Sequence, residues 1–178
     1  MKLLSIACAG LAMFVTVGAA AADAGPTDAQ IAAIVVTANQ VDIDAGNVAK
    51  SKAASKEVRD FGNLMVVAHS GVNKSAGELV TRLHVTPEPN ATSASLKQGG
   101  EQNLAALAKL SGSAFDKAYV DHEVVYHQAV LDALDKTLIP GAHNAELKAL
   151  LVKVRPAFVA HLEHAKQLQT ILATHGDG

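Results

Sequence analysis

The chain has 178 residues, 49% of them apolar and 18% charged, with a formal net charge of −2 and one cysteine. A mixed balance with no basic block gives no support to nucleic-acid binding, which needs clustered Lys and Arg. One cysteine excludes an intramolecular disulfide, and the length suits a single domain that buries its core without covalent staples.

Met1-Lys2 opens the chain with one positive charge. An apolar run from Leu3 to Val17 follows, and then Gly18 and Ala19 to Ala22. This is the pattern of a secretory signal peptide, predicted over residues 1–22 and removed on export. The run of about 15 apolar residues is short for a membrane anchor and has no charged stop behind it. Cys8 lies in the middle of the run, and Ser5 stands where a lipidation motif wants Leu, so no lipid anchor is expected. Loss of the leader takes away the cysteine and Lys2. That leaves 14 basic against 17 acidic residues in an expected single four-helix-bundle domain, residues 23–178, that is periplasmic or secreted. No later segment is long and apolar enough to span a bilayer.

Thr27 or Asp28 is expected to cap a first helix reaching about Lys52, with Ile31, Val35, Ala38, Ala45 and Ala49 at helical spacing. A second runs from a Ser55 cap to about His84. Val85 to Asn90, with Pro87 and Pro89, breaks it because proline lacks the N–H that a helix uses. Residues 93–110 read as a shorter helix, weakened by Gly99-Gly100. Ser111-Gly112-Ser113 gives a turn and a cap. Residues 114–138 are strongly helical up to Pro140-Gly141. A last helix spans about Asn144 to Thr174, with a kink expected at Pro156. Short connections make each flanking pair an antiparallel hairpin, and the long segment between the hairpins carries its own helix. The expected fold class is therefore all-α, with ferritin-like connectivity: two antiparallel hairpins joined by a long crossover.

At about 100° per residue, each of the four main helices turns a titratable residue toward its apolar stripe. Asp42 aligns with Val35 and Ala49, and His69 with Met65 and Ala76. Glu123 and His127 align with Val120 and Leu131, and His161 with Phe158 and Leu168. His122 and Asp44 point outward, and His164 sits on a flank. Measured along each hairpin, Asp42 and His69 differ in height by about 6 Å, and Glu123 and His161 by about 3 Å. Buried ionised groups without partners cost several kcal/mol. Five such groups at related heights call either for a divalent cation, with Zn, Cu or Fe suited to these donors, or for a metal-free buried polar network. Met65, one turn before His69, adds a thioether that copper would accept, although core packing is its ordinary role. His175, near a helix C-terminus, fits a helix-dipole role. No protein partner or oligomeric state follows from the sequence.

The segments from Asp42 to Ala49, from Val58 to His69, from Phe115 to Val120 with His127 downstream, and from His161 to Ala165 resemble an exported bacterial ferritin-like family, domain of unknown function 4142. Its members carry an outer-membrane label, but nothing here alternates like a membrane strand. The family pattern has Glu where Asp42 stands, an Asp-His pair where Ala68-His69 stands, and histidines at His127 and His161. The resemblance implies the fold and no settled activity. Di-iron chemistry on such a bundle uses two Glu-x-x-His motifs. Neither Val124 before His127 nor Phe158 before His161 supplies that Glu. No nucleophile motif or phosphate loop points to another enzyme class.

Overall fold

The structure, a computed structural model, describes residues 25–175. The expected leader, residues 1–22, lies outside the described residues. Those described are all-helical and contain no strand. They form α1 (Asp28–Lys52), α2 (Lys56–Arg82), α3 (Ala91–Ala108), α4 (Gly112–Ala133), a π-helical turn (Leu134–Leu138), the short α5 (Ile139–Gly141) and α6 (Ala145–His175). No described helix is long and apolar enough to cross a membrane.

The helix starts follow from local chemistry. Thr27 caps α1 by accepting from Gln30 N, while the Gln30 side chain accepts from Thr27 N. That reciprocal pair satisfies two backbone donors which a helix start leaves free. Ser55 accepts from Val58 N at the start of α2, and Asn90 and Ser93 form a second reciprocal pair at α3. Ser111 precedes α4 without a side-chain capping bond. The turn there is made by Gly112, whose φ of 59° suits a residue lacking Cβ.

The helix expected over residues 114–138 ends differently from expectation. Instead of a plain α-helix to residue 138, the chain widens into a π turn. Ile139 N donates to Leu134 O, and the path continues helically through Pro140 to Gly141. Pro140 falls in the first turn after the π segment, where its missing N–H is tolerated. In α6 the chain stays helical across Pro156.

Residue pairing fixes the direction of each hairpin. Along α1 and α2, Val36 meets Asn73, Asn39 meets His69, and Gly46 meets Gly62. Numbers rise on one helix as they fall on the other, so the pair is antiparallel. Asp135 bonds Arg155 and Asp121 bonds Gln169, which makes α4 and α6 antiparallel too. Small residues let α1 and α2 approach closely. A Cβ at Gly46 would lie 2.7 Å from Gly62 O, and one at Gly62 would lie 2.8 Å from Ala49 Cβ. The crossover helix α3 lies chiefly on α1, with Gly100 against Val41.

Aspartates from across the molecule hold both tight connections. Asp116 of α4 accepts from Ala54 N and Ser55 N, between α1 and α2. Asp28 of α1 accepts from His143 N and Asn144 N, before α6.

The apolar interior forms two clusters. One contains Ile31, Ile34, Leu79, Leu134, Leu151 and Phe158. The other contains Ala49, Val58, Phe61, Met65, Phe115 and Tyr119. Between them, four helices change from apolar to polar for about a turn: Asn39 and Asp42 on α1, His69 on α2, Glu123 and His127 on α4, and His161 on α6. All six residues are buried.

Candidate metal centre

The five residues singled out by helical phase converge on that polar layer. His69, His127 and His161 each offer a nitrogen within 4.8 Å of the other two, and Asp42, Glu123 and His127 form an overlapping group on the same criterion. The imidazole centroids stand 5.2 to 5.7 Å apart. Phe158 closes one side, its ring 5.1 Å from that of His69. The long reach of His and Glu, set on four helices, lets residues from four directions meet in one layer.

Hydrogen bonds at the far nitrogens orient two of the imidazoles. Asn39 Nδ2 donates to Val35 O at 2.8 Å, which turns Asn39 Oδ1 toward His69 Nδ1 at 2.7 Å. That oxygen can only accept, so His69 Nδ1 carries the proton and Nε2 presents a lone pair inward. His127 Nδ1 lies 3.0 Å from the Glu123 backbone carbonyl and 3.3 Å from its Oε2, which assigns the proton in the same way. The inward nitrogens face the carboxylate of Asp42. Its Oδ2 is 3.2 Å from His69 Nε2 and 3.8 Å from His127 Nε2, with no hydrogen bond of acceptable geometry to either.

Eleven buried side-chain polar atoms among the described residues lack a hydrogen-bond partner. Eight of them belong to Asp42, His69, Tyr119, Glu123, His127 and His161. Unpartnered buried polar atoms are few in native proteins, and concentration in one layer marks a place where a proton or a cation is required. His161 contributes its Nδ1, and His69 and His127 their Nε2. The layer therefore holds buried, unpartnered imidazole nitrogens from three helices beside two carboxyls, a donor set suited to a divalent transition ion.

Electrostatics point the same way. Burial holds the His69 imidazole down to about 2 and the His161 imidazole down to about 4, each reinforced by neighbouring His127. Both are neutral, as a metal ligand must be. Burial raises the Glu123 carboxyl to about 7, opposed by the Asp42 carboxyl and the Tyr119 hydroxyl beside it. Burial and the charge of Glu123 push Asp42 well above the carboxylate range, against the pull of His127. With His69 and His161 neutral, protons or a cation must neutralise the acidic side.

Other residues noted in the sequence lie apart from the layer or beside it. Asp44 is exposed and accepts from Gln40, as its outward phase implied. Met65 is fully buried in the cluster with Phe61. His164 sets its ring edge on Phe61 at 4.9 Å. His122 departs from expectation: it is half-buried rather than outward, stacked 5.6 Å from Tyr126 with its Nδ1 sealed from solvent. Its face of α4 is the one that meets α1, where Tyr126 donates to Ala38 O. Sequence reasoning missed Asn39. Its signal was its place on the inward face of α1, three residues before Asp42.

The fold and this layer define an all-helical protein with a buried histidine–carboxylate group able to hold a metal ion. The chain belongs to the family described as Domain of unknown function (DUF4142), whose family model matches residues 15–168. Neither a curated protein nor a solved structure matches it at a significant level.

Proposed function

We propose that this is an exported, ferritin-like four-helix-bundle protein that binds one divalent transition ion in its polar layer and serves as a buffer or carrier of that ion. In this reading residues 1–22 are a cleaved leader and residues 23–178 form one domain in the periplasm or outside the cell. His69, His127 and His161 supply the nitrogens, and Asp42 and Glu123 the acidic side. One observation carries the proposal. Each of three convergent imidazoles buries an unpartnered nitrogen, and at His69 and His127 a hydrogen bond at the other nitrogen turns the lone pair inward. Imidazole nitrogens with carboxylate favour Zn, Cu or Fe over Mg or Ca.

A second reading has its own support. With Asp42 and Glu123 both shifted toward their protonated forms, the layer comes close to neutrality without a cation. The protein would then be a structural or interaction module of the envelope with a buried polar network. Elemental analysis and thermal melts separate the two. Chelator-stripped protein is titrated with Zn(II), Cu(II), Ni(II) and Fe(II) beside a His127→Ala, His161→Ala variant. About one ion per chain with a raised Tm, both lost in the variant, supports the metal reading. No uptake and no shift leaves the metal-free network.

A further inference from the structure

Beside the polar layer lies a cleft of about 640 Å³, within the range typical of small-molecule sites. Its floor is core: Ile34, Leu134, Leu151 and Phe158 are all buried yet line it. Its rim is made by Asn90 and Thr92 of the crossover and by Ala129 and Thr137 on the facing side. The opening exists because α3 lies on α1 and hardly touches α4. Glu88 N donates to Ala29 O at 3.0 Å just before α3, which pins the crossover side of the rim to α1.

Three further features bear on what would bind there. Among the described residues, no Asp, Glu, Lys, Arg or His lines the cleft. The charges carried by its own wall are engaged elsewhere: Asp135 with Arg155, and Lys136 with Asp132. Most of the polar lining is already committed. Asn39 is bonded at both ends of its amide, Tyr126 donates to Ala38 O, and Gln30 and Asn90 cap helices. The π turn also contributes three of its five residues, Leu134, Thr137 and Leu138. Single π turns inside helices recur at functional sites.

We propose that this cleft binds an uncharged small molecule with an extended hydrocarbon part. An ionised ligand would lose its hydration with no opposite charge among the described lining residues to meet it. A neutral apolar ligand would lose only water that the walls hold poorly. The site is separate from the proposed metal ligands, although Asn39 and Phe158 belong to both walls, so binding is expected with or without metal.

The test uses the neutral fluorophore N-phenyl-1-naphthylamine with the purified protein, in chelator and again with Zn(II). Saturable binding of about one probe per chain is expected in both. Decan-1-ol should displace it, with decanoate and decyltrimethylammonium at least tenfold weaker. Ala129→Trp and Thr92→Trp fill the cleft from opposite walls at exposed positions. Each should weaken the probe at least tenfold without lowering Tm. Absence of saturable binding overturns the proposal. So does equal competition by the charged analogues, or full affinity in whichever Trp variants keep their fold. The competition series needs no variant, and neither arm depends on metal uptake.

Discussion

Asn39 holds His69 in one tautomer. Its amide nitrogen is tied to Val35 O at 2.8 Å, so its oxygen faces His69 Nδ1 at 2.7 Å and the other imidazole nitrogen is left bare toward Asp42. Partners that orient a ligating imidazole typically contribute 10- to 100-fold in metal affinity. Asn39→Leu should therefore weaken Zn(II) binding by roughly that factor in a calorimetric titration. Unchanged affinity in a folded Asn39→Leu protein would remove His69 from the proposed ligand set.

The stability of metal-free protein should depend on pH from both sides. Glu123 binds its proton more tightly when folded, so its contribution is complete below about 4.5 and is lost as pH rises through about 7. Asp42, also held well above its ordinary range by burial, adds a loss of the same sign as pH rises. His161 and His69 bind protons less tightly when folded. Their contribution is complete above about 6.5 and falls as pH drops toward 4 for the first and 2 for the second. The carboxyls and the histidines oppose each other between pH 4.5 and 6.5, so Tm should change least there and decline on either side. Glu123→Gln should flatten the decline between pH 6.5 and 8, and thermal melts across pH 3 to 9 would show it. A monotonic rise of Tm through pH 8 in wild-type apo protein contradicts these shifts.

Glycines within one helix should respond oppositely to alanine. At Gly62 a Cβ would meet Ala49 Cβ at 2.8 Å, Gly46 O at 2.9 Å and Lys50 N at 3.0 Å, and backbone atoms cannot move aside cheaply. Overpacking of this kind costs about 1–3 kcal/mol. Gly71 and Gly77 in the same helix have nothing within 4 Å of the added atom. There the substitution should stabilise by up to about 1 kcal/mol through helix propensity alone. Urea unfolding of the three variants checks both signs.

Replacing Asp116 with Ala should destabilise the fold by about 2–4 kcal/mol, because two backbone donors lose a carboxylate partner at 2.9 and 2.7 Å. Asp116→Asn keeps one acceptor and should recover part of the loss. A neutral Asp116→Ala in denaturant titration would mean that water replaces the carboxylate at the connection.

Much of this arrangement was legible in the chain because helical phase is a strong signal. The spacing of Ile31, Val35 and Ala49 predicted which way Asp42 points. The same arithmetic on three other helices turned His69, Glu123, His127 and His161 inward at related heights. Two kinds of information were not in that phase. The first is the partner of a partner: an inward Asn such as Asn39 gives no sign that it sets a tautomer until the facing His is placed. The second is what lies between helices of unlike direction. The turn of His122 toward α1 and the π winding before Pro140 depend on packing between helices that a single-helix wheel does not contain.

The aspartates at the two tight connections are exchanged between the hairpins. The α1–α2 connection is completed by Asp116, some 62 residues further along, and the connection before α6 is completed by Asp28, some 115 residues earlier. Neither half of the chain carries the carboxylate that finishes its own bend. A fragment holding α1 to α3 would leave Ala54 N and Ser55 N bare, and one starting at α4 would leave His143 N and Asn144 N bare. Interdependence of this kind joins the halves into one cooperative unit, and it penalises an exchange of arms between two molecules unless both bends are satisfied at once.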